Sequence, residues 1–243
     1  MKTRTMNVLL IAAVLGGILI TPSSSSAEPL LKEPSTDINP SDFVREVDNE
    51  FFPLKPGTTF FYEGMEDGVP MSNEFHVTHQ IKRILGVTTT VVHDRAYENG
   101  VLVEDTFDWF VQDVAGNVWY FGEDTKELDP DGNVISTAGS WEAGVGGAMP
   151  GIIMLAHPHL GDRYRQEFAP GIAEDTAQVV SLDKSACVRY GCFDDLLLTK
   201  EWTPLERGVL DRKYYAEGIG FILGVMVAGG DERTELVRIT MES

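Results

Sequence analysis

The residues with the clearest chemical potential are acidic side chains on two neighbouring predicted strands. If Ala115-Gly116 forms a two-residue turn, Asp108 lies directly opposite Glu123, and Glu104 lies opposite Glu127. Side chains opposed in this way have Cβ atoms about 5 Å apart, so two carboxylates repel unless a cation or a proton lies between them. Glu104, Asp108 and Glu123 are therefore predicted ligands of a hard divalent ion such as Ca²⁺. The alternative is an outer sheet face on which water screens the charges.

The opposite face of the same strands carries a second set of charged residues. The same turn places Asp105 beside Lys126. If Asn99-Gly100 is also a two-residue turn, Asp105 faces Asp94 on the other side. A buried acid needs a partner, and Lys126 can supply one. Which set matters depends on which face of the sheet turns inward, and the pattern leaves that open.

Motifs for nucleophilic or phosphate chemistry are missing from the sequence. It contains no Gly-x-Ser-x-Gly elbow, no phosphate-binding loop and no His-Glu-x-x-His pair. An enzyme built on this chain would be a hydrolase or isomerase that uses paired carboxyl groups as acid and base. The candidates for those roles are Asp108, Glu123, Glu142 and Glu167.

Aromatic side chains cluster near the acids and in the glycine-rich segment that follows them. Ser136–Gly161 shows neither a helical nor a strand period, and irregular segments of this length are often functional. A curved sheet with such a loop as its lid is a favourable place for a small-molecule cavity. The aromatic residues predicted to line that cavity are Trp109, Trp119, Tyr120, Phe121 and Trp141.

These features support one leading hypothesis and two alternatives. The leading hypothesis is a non-enzymatic protein that binds a small apolar or amphipathic molecule, such as a lipid-like ligand, in a β cavity. The alternatives are the carboxylate enzyme and a calcium-dependent surface protein. No cofactor other than calcium is expected.

The elements that position these residues are predicted β-strands. Asn99-Gly100 is a strong hairpin signal, and Val101–Asp113 alternates apolar with polar residues. The fold class is therefore all-β, an antiparallel meander of nine or ten strands that forms a curved sheet or barrel in one domain, residues 49–243. Besides Val101–Asp113, the candidate strands are Thr58–Tyr62, Glu74–Leu85, Val87–Glu98, Asn117–Glu127, Tyr164–Phe168, Thr176–Leu182, Cys192–Trp202, Arg212–Ala216 and Glu235–Thr240.

The first residues are typical of an exported protein. Lys2 and Arg4 precede the apolar run Val8–Ile20, and small residues follow it, which predicts a signal peptide at residues 1–27. The run is shorter than the about 20 residues of a membrane span, so no transmembrane segment is expected in the mature chain. Residues 28–48 are predicted to form a flexible leader. The predicted location is periplasmic or secreted.

Charge and cysteine content agree with that location. The formal net charge is −19, which repels phosphate backbones, so nucleic acid is not an expected partner. Cys187 and Cys192 are the two cysteines, and an oxidising compartment favours a disulfide between them. Gly191 permits the tight turn that such a bridge needs, although two free thiols remain an alternative. The spacing does not match the Cys-x-x-Cys redox motif.

Three stretches of the chain resemble segments of known bacterial proteins. They are the hairpin at residues 187–198, the aromatic strand with a Gly-x-Gly turn at 213–220, and the stretch at 49–58. They resemble loosely defined families of secreted, β-rich proteins of uncharacterised function, some of which are similar to periplasmic half-barrel proteins such as the lipoprotein carriers. The resemblance implies a curved antiparallel sheet around a core or cavity. It implies no catalytic residue.

Overall fold

The computed structural model describes residues 37–242 of the 243-residue chain. The predicted signal peptide and residues 28–36 of the predicted leader lie outside the described residues. The described part contains a 3-10 helical turn, Pro40–Asp42, and sixteen strands. The strands are β1 Phe43–Val44, β2 Thr58–Glu66, β3 Val69–Ile84, β4 Val87–Glu98, β5 Val101–Asp113, β6 Val118–Leu128, β7 Val134–Ser136, β8 Trp141–Glu142, β9 Met149–Met154, β10 Arg163–Arg165, β11 Glu167–Phe168, β12 Thr176–Val188, β13 Gly191–Trp202, β14 Leu210–Ala216, β15 Gly220–Ala228 and β16 Glu232–Met241.

All these strands belong to one antiparallel sheet that curls nearly into a closed barrel, which confirms the predicted fold class. Strands β2 to β6 pair in chain order, as a meander should, and so do β12 to β16. The last strand, β16, returns to pair with β2. The sheet is therefore two meanders joined by the pairing of their outermost strands.

A single short segment brings the two ends of this sheet together. The first half of residues 163–168, β10, pairs with β12, and the second half, β11, pairs with β9. Between them the Gln166 N–H donates to the Asp175 carbonyl oxygen at 2.8 Å. Because unpaired edge strands invite association with other chains, this double pairing protects both ends of the sheet.

The register predicted between β5 and β6 is confirmed, although the turn is different. Asp108 pairs with Glu123, and Glu104 pairs with Glu127. Gln112 pairs with Val118, so the connection is longer than the predicted two residues. A bulge in β6, between the two halves of the ladder, restores the predicted pairs.

The register predicted between β4 and β5 is wrong by one residue over most of its length. The pairs next to Asn99-Gly100 follow the prediction, but a bulge at Val103 shifts every later pair. Asp105 consequently faces Arg95 and not Asp94. Opposite charges thereby replace the predicted pair of like charges.

The structure shows that the acidic face of β5 turns inward. Glu104, Thr106 and Asp108 are buried, whereas the side chain of Asp105, on the other face, is 30% exposed. Phe110 continues the inward face at the far end of the strand and is fully buried. The barrel wall is thus polar along one part of this strand and aromatic along the next.

The glycine-rich segment Ser136–Gly161 contains more strand than the sequence pattern suggested. Both β8 and β9 lie within it and pair with β6. The first pairing requires glycine at position 122, because a Cβ there would lie 2.2 Å from the Trp141 carbonyl oxygen. The segment therefore lies against the sheet and brings Trp141 into the interior, where its side chain is buried.

The predicted disulfide is confirmed in the hairpin of β12 and β13. Cys187 and Cys192 face each other directly across the two strands, with Cα atoms 4.0 Å apart. The turn of this hairpin contacts β16, where the Tyr190 N–H donates to the Leu236 carbonyl oxygen at 3.1 Å. The bridge therefore stabilises a turn that also contacts β16, a strand that pairs with neither β12 nor β13.

Replacing both cysteines by serine should lower the free energy of unfolding by roughly 2 kcal/mol, because the bridge closes a short loop. Urea denaturation of the oxidised wild type and of the double variant measures the difference. Reduction should shift the wild-type midpoint to that of the variant and leave the variant unchanged. Equal midpoints for the oxidised wild type and the variant would contradict the prediction.

Candidate functional site

Acidic side chains dominate the buried charged residues. Within residues 37–242, Lys213 is the one buried basic residue. Burying a charge without a partner is costly, so these acids must be protonated, hydrogen-bonded or paired with a cation. The buried acidic residues are Asp94, Glu104, Asp108, Asp113, Glu123, Glu167, Asp175, Glu201 and Asp211.

We call the buried acids that face the barrel interior the acidic wall, and Asp108 and Glu123 lie at its centre. The Tyr120 hydroxyl donates to Asp108 Oδ1 at 2.7 Å, and the Tyr120 ring stacks on Phe110 with centroids 4.8 Å apart. Burial, and then the charge of Asp94, raise the pKa of Asp108 well above its usual value. Burial, and then the charge of Asp108, raise the pKa of Glu123 in the same way. Asp108 Oδ2 is buried and has no hydrogen-bond partner among the described residues.

A second polar group lies beside this centre. Asn73 Nδ2 donates to Asp94 Oδ1, and the Thr106 hydroxyl donates to Glu104 at 3.1 Å and contacts the Thr125 hydroxyl at 2.5 Å. Burial raises the pKa of Asp94 to about 7. Burial, and then the charge of Asp94, raise the pKa of Glu104 well above its usual value. These acids therefore retain protons at a pH where exposed carboxyl groups are ionised.

Glu167 and Asp175 form a buried carboxyl pair on the other side of Tyr120. Their side chains lie close enough to hydrogen-bond to each other when one of them carries a proton. The Trp141 indole N–H donates to Glu167 Oε2 at 3.0 Å, and the Trp141 and Tyr120 rings meet edge to face at 5.3 Å. Burial, and then the charge of Asp175, raise the pKa of Glu167 well above its usual value. Burial raises the pKa of Asp175 to about 6.

Lys213 neutralises the next part of the wall. Its Nζ lies 2.9 Å from Glu201 Oε2, and both side chains are almost fully buried. The hydroxyls of Thr199 and Tyr215 donate to Glu201 Oε1 at 2.7 and 3.2 Å. Burial is the largest single effect and lowers the pKa of Lys213, but the charge and hydrogen bond of Glu201, together with the charges of Asp211 and Asp175, raise it by more, so the net shift is upward. Burial raises the pKa of the neighbouring Asp211 to about 6, against the opposing effect of Lys213.

Substituting Lys213 by Met should lower the free energy of unfolding by about 3 kcal/mol, because Glu201 would then be a buried charge without its cation. Adding Glu201→Gln should recover part of that loss. Lys126→Met is the control, since its ammonium pairs with Asp124 at 3.0 Å on the surface and should contribute less than about 1 kcal/mol. Urea denaturation measures all four proteins. A Lys213→Met variant as stable as the control would rule out this role.

The five predicted lining residues do not form one group. Tyr120 and Trp141 face the interior and contact each other. Trp119 and Phe121 lie on the other face of β6 and pack edge to face around Phe43, with centroids 5.9 and 5.6 Å from its ring. Alternation along β6 places successive side chains on opposite faces, so these neighbours in sequence cannot line one cavity together.

The fifth residue, Trp109, helps to anchor the glycine-rich segment. Lys82 Nζ lies 3.2 Å from the Trp109 ring centroid and 2.7 Å from Glu142 Oε2. On the other side of Trp141, the Ser140 hydroxyl accepts a hydrogen bond from the backbone of β6 and donates another to it. Trp141 is thus placed over the interior acids by contacts on the residues before and after it.

The predicted calcium ligands are brought to the interior but not around one point. Asp108 and Glu123 are direct neighbours, and Glu104 lies further along β5. Within residues 37–242, no group of three or more His, Cys, Asp or Glu side chains is arranged to hold a metal ion. Calcium binding at these residues stays a prediction. Of the predicted acid–base candidates, Asp108, Glu123 and Glu167 are buried, whereas Glu142 pairs with Lys82 near the surface.

Comparison with known proteins adds little to this geometry. No protein-family model and no curated protein matches the chain. One solved structure, of a "putative lipoprotein" from Parabacteroides distasonis, aligns with 79% of this chain and 99% of its own at 9% sequence identity and a TM-score of 0.38. Within the described residues, no helix has the length and hydropathy needed to cross a bilayer.

Proposed function

We propose that this protein binds a small amphipathic molecule inside its barrel and that binding is its activity. One observation carries the proposal: the unpartnered Asp108 Oδ2 lies at the boundary between the acidic wall and the rings of Phe110 and Tyr120. A ligand with a polar head and an apolar body fits such a boundary. Its head would pair with a carboxyl oxygen that otherwise has no partner, and its body would lie against the rings.

Binding requires a side chain to move, because the apolar end of the barrel is well packed. The space among Phe52, Phe60, Tyr62 and Phe221 measures about 20 Å³. That is room for about one water molecule. Trp141 is the side chain whose displacement would make room beside Tyr120 and the acids. Its segment is anchored from outside by the Lys82–Glu142 ion pair, so the segment can serve as the lid.

Fluorescence titration with N-phenyl-1-naphthylamine, a largely apolar probe, tests the proposal. The wild type should bind the probe saturably, and Trp141→Ala should bind it at least tenfold more tightly because the ligand no longer displaces an indole. Trp202→Ala, which removes a partly exposed indole on β13, is the control. If Trp141→Ala fails to fold, Glu142→Gln loosens the same segment from the surface. Weak, unsaturable binding by wild type and variants alike would overturn the proposal.

A second candidate function rests on the Glu167–Asp175 pair. Two carboxyl groups that share a proton can act as general acid and base, as hydrolases and isomerases require. If the protein is such an enzyme, the wild type should turn over chromogenic ester or glycoside substrates with a bell-shaped pH–rate profile, and Glu167→Gln should abolish that turnover. Probe binding without turnover by the wild type would favour the binding function.

A further inference from the structure

The buried ionisable side chains of the interior are strongly unbalanced, because acids far outnumber bases. The acidic wall includes Asp94, Glu104, Asp108, Glu123 and the Glu167–Asp175 pair, and none of these has a basic partner in the ion pairs of the described residues. The oxygen Asp108 Oδ2 has no hydrogen-bond partner, although Asp108 is only 2% exposed. An ammonium group has a positive charge and three hydrogen-bond donors. It can therefore supply both the missing basic partner of these acids and the missing donor to Asp108 Oδ2.

The spacing of the acids favours an extended cation over a compact one. No three of the candidate metal-binding side chains within residues 37–242 converge on one point, as a metal ion requires. Instead the carboxyl groups follow the barrel wall from strand to strand. Asp108 and Glu123 lie on paired strands, and Glu123 is close enough to Glu167 to raise its pKa. Neighbouring strands are about 4.8 Å apart, which a chain of three or four methylenes between two ammonium groups spans.

The aromatic rings beside the acids suit the rest of such a molecule. Phe110, Tyr120 and Trp141 form a continuous row of ring contacts next to Asp108 and the Glu167 side chain. Aromatic faces attract ammonium groups, and methylene chains pack against them. A long, purely apolar ligand would use the rings and leave the carboxyl groups without partners.

We infer that the molecule held in the barrel is a linear diamine or polyamine, with its ammonium groups paired to Asp108, Glu123 and the Glu167–Asp175 pair and its methylene chain against Tyr120 and Trp141. This inference rests on the proposed binding function and names its ligand class. The amine takes the place of protons on the carboxyl groups, so binding releases protons into the solvent. Affinity should therefore rise between pH 5 and pH 8.

Isothermal titration calorimetry with spermidine, 1,4-diaminobutane, butylamine and calcium chloride tests the ligand class. Spermidine should bind one to one, and butylamine, with its single ammonium group, should bind at least tenfold more weakly. Repeating the titration in buffers of different ionisation enthalpy should reveal the released protons. Asp108→Asn and Glu123→Gln should each weaken spermidine binding at least tenfold. Asp124→Asn is the matched control, because Asp124 follows Glu123 on β6 but is exposed.

The outcomes separate this inference from the proposed function. Saturable binding of N-phenyl-1-naphthylamine without any binding of spermidine or the diamine would overturn the ligand class and leave the binding function standing. Failure of both kinds of probe would overturn both. Calcium binding that is lost in Asp108→Asn and Glu123→Gln, with no response to amines, would replace the amine by a metal ion. Spermidine binding that Asp124→Asn weakens as much as Glu123→Gln would show surface charge attraction and overturn the interior site.

Discussion

The free energy of unfolding should fall by on the order of 5 kcal/mol as the pH rises from 5 to 8. Burial raises the pKa of Asp94 to about 7 and the pKa values of Asp175 and Asp211 to about 6, whereas these groups titrate near pH 4 when the chain is unfolded. Between those values the folded state holds protons that the unfolded state has released. Stability from these groups is therefore complete below about pH 4 and is lost as the pH passes their folded pKa values.

Urea denaturation at pH 5, 6, 7 and 8 measures this slope. Asp94→Asn should flatten it, because an amide makes similar hydrogen bonds and binds no proton in this range. Asp124→Asn, at an exposed position on β6, should leave the slope unchanged. The raised pKa of Lys213 acts only at a much higher pH and does not enter this window. Stability that increases from pH 5 to pH 8 would show that the interior acids are ionised in the folded protein.

Replacing Gly151 by Ala should cost about 4 kcal/mol or more and leave little folded protein at 37 °C. Gly151 lies on β9, where the closing segment 163–168 crosses it. A Cβ at this position would lie 2.2 Å from the Gln166 carbonyl oxygen and 2.7 Å from that of Arg165. Both atoms belong to the backbone, so no rotation of a side chain relieves the clash, and the β9–β11 pairing would have to separate.

Gly191→Ala is the matched control for this substitution. Gly191 also lies in a strand and also has no positive φ, but an added Cβ would meet only the Phe193 ring at 3.6 Å, an ordinary contact. Its cost should stay below about 1 kcal/mol. Circular dichroism and urea denaturation compare the two variants. Similar midpoints for both would mean that β9 and the closing segment are less tightly joined than the structure indicates.

Local sequence signals were sufficient for several strands. Val87–Glu98 and Val101–Asp113 have the predicted bounds, because the Asn-Gly turn and the alternation of residues are encoded within the strands themselves. Strand β15, Gly220–Ala228, was missed because its glycines interrupt the apolar run. At Gly224 an added Cβ would lie 3.0 Å from the Phe221 ring, so that ring would have to shift to accept a larger residue.

Other features depend on how the whole barrel closes. The alternation in β5 defines two faces but does not say which one turns inward, and the interior proved to be the acidic one. The bulge at Val103 has no local sequence signal either, because its position depends on the curvature of the complete sheet. A one-residue error there was enough to assign Asp105 the wrong partner.

The candidate site also contains residues that local sequence signals predict and residues whose positions depend on the closed barrel. Asp108 and Glu123 were predictable because one short connection sets their register. The Glu167–Asp175 pair was not, since it depends on the closing segment that joins strands far apart in sequence. Glu201 and Lys213 were not predictable either, because they share a face with Thr199 and Asp211 and so break no apolar pattern, and their contact depends on the register of β13 and β14.

The pairing of β2 with β16 determines when the protein can finish folding. Thr58 lies opposite Met241, so β2, which is synthesised early, cannot complete its pairing until β16 has been synthesised near the end of the described chain. Until then, one edge of β2 presents unpaired backbone groups that another chain can bind. Contacts between residues so distant in sequence also slow the folding reaction. Newly made molecules therefore pass through an interval in which association at this edge competes with closure of the barrel.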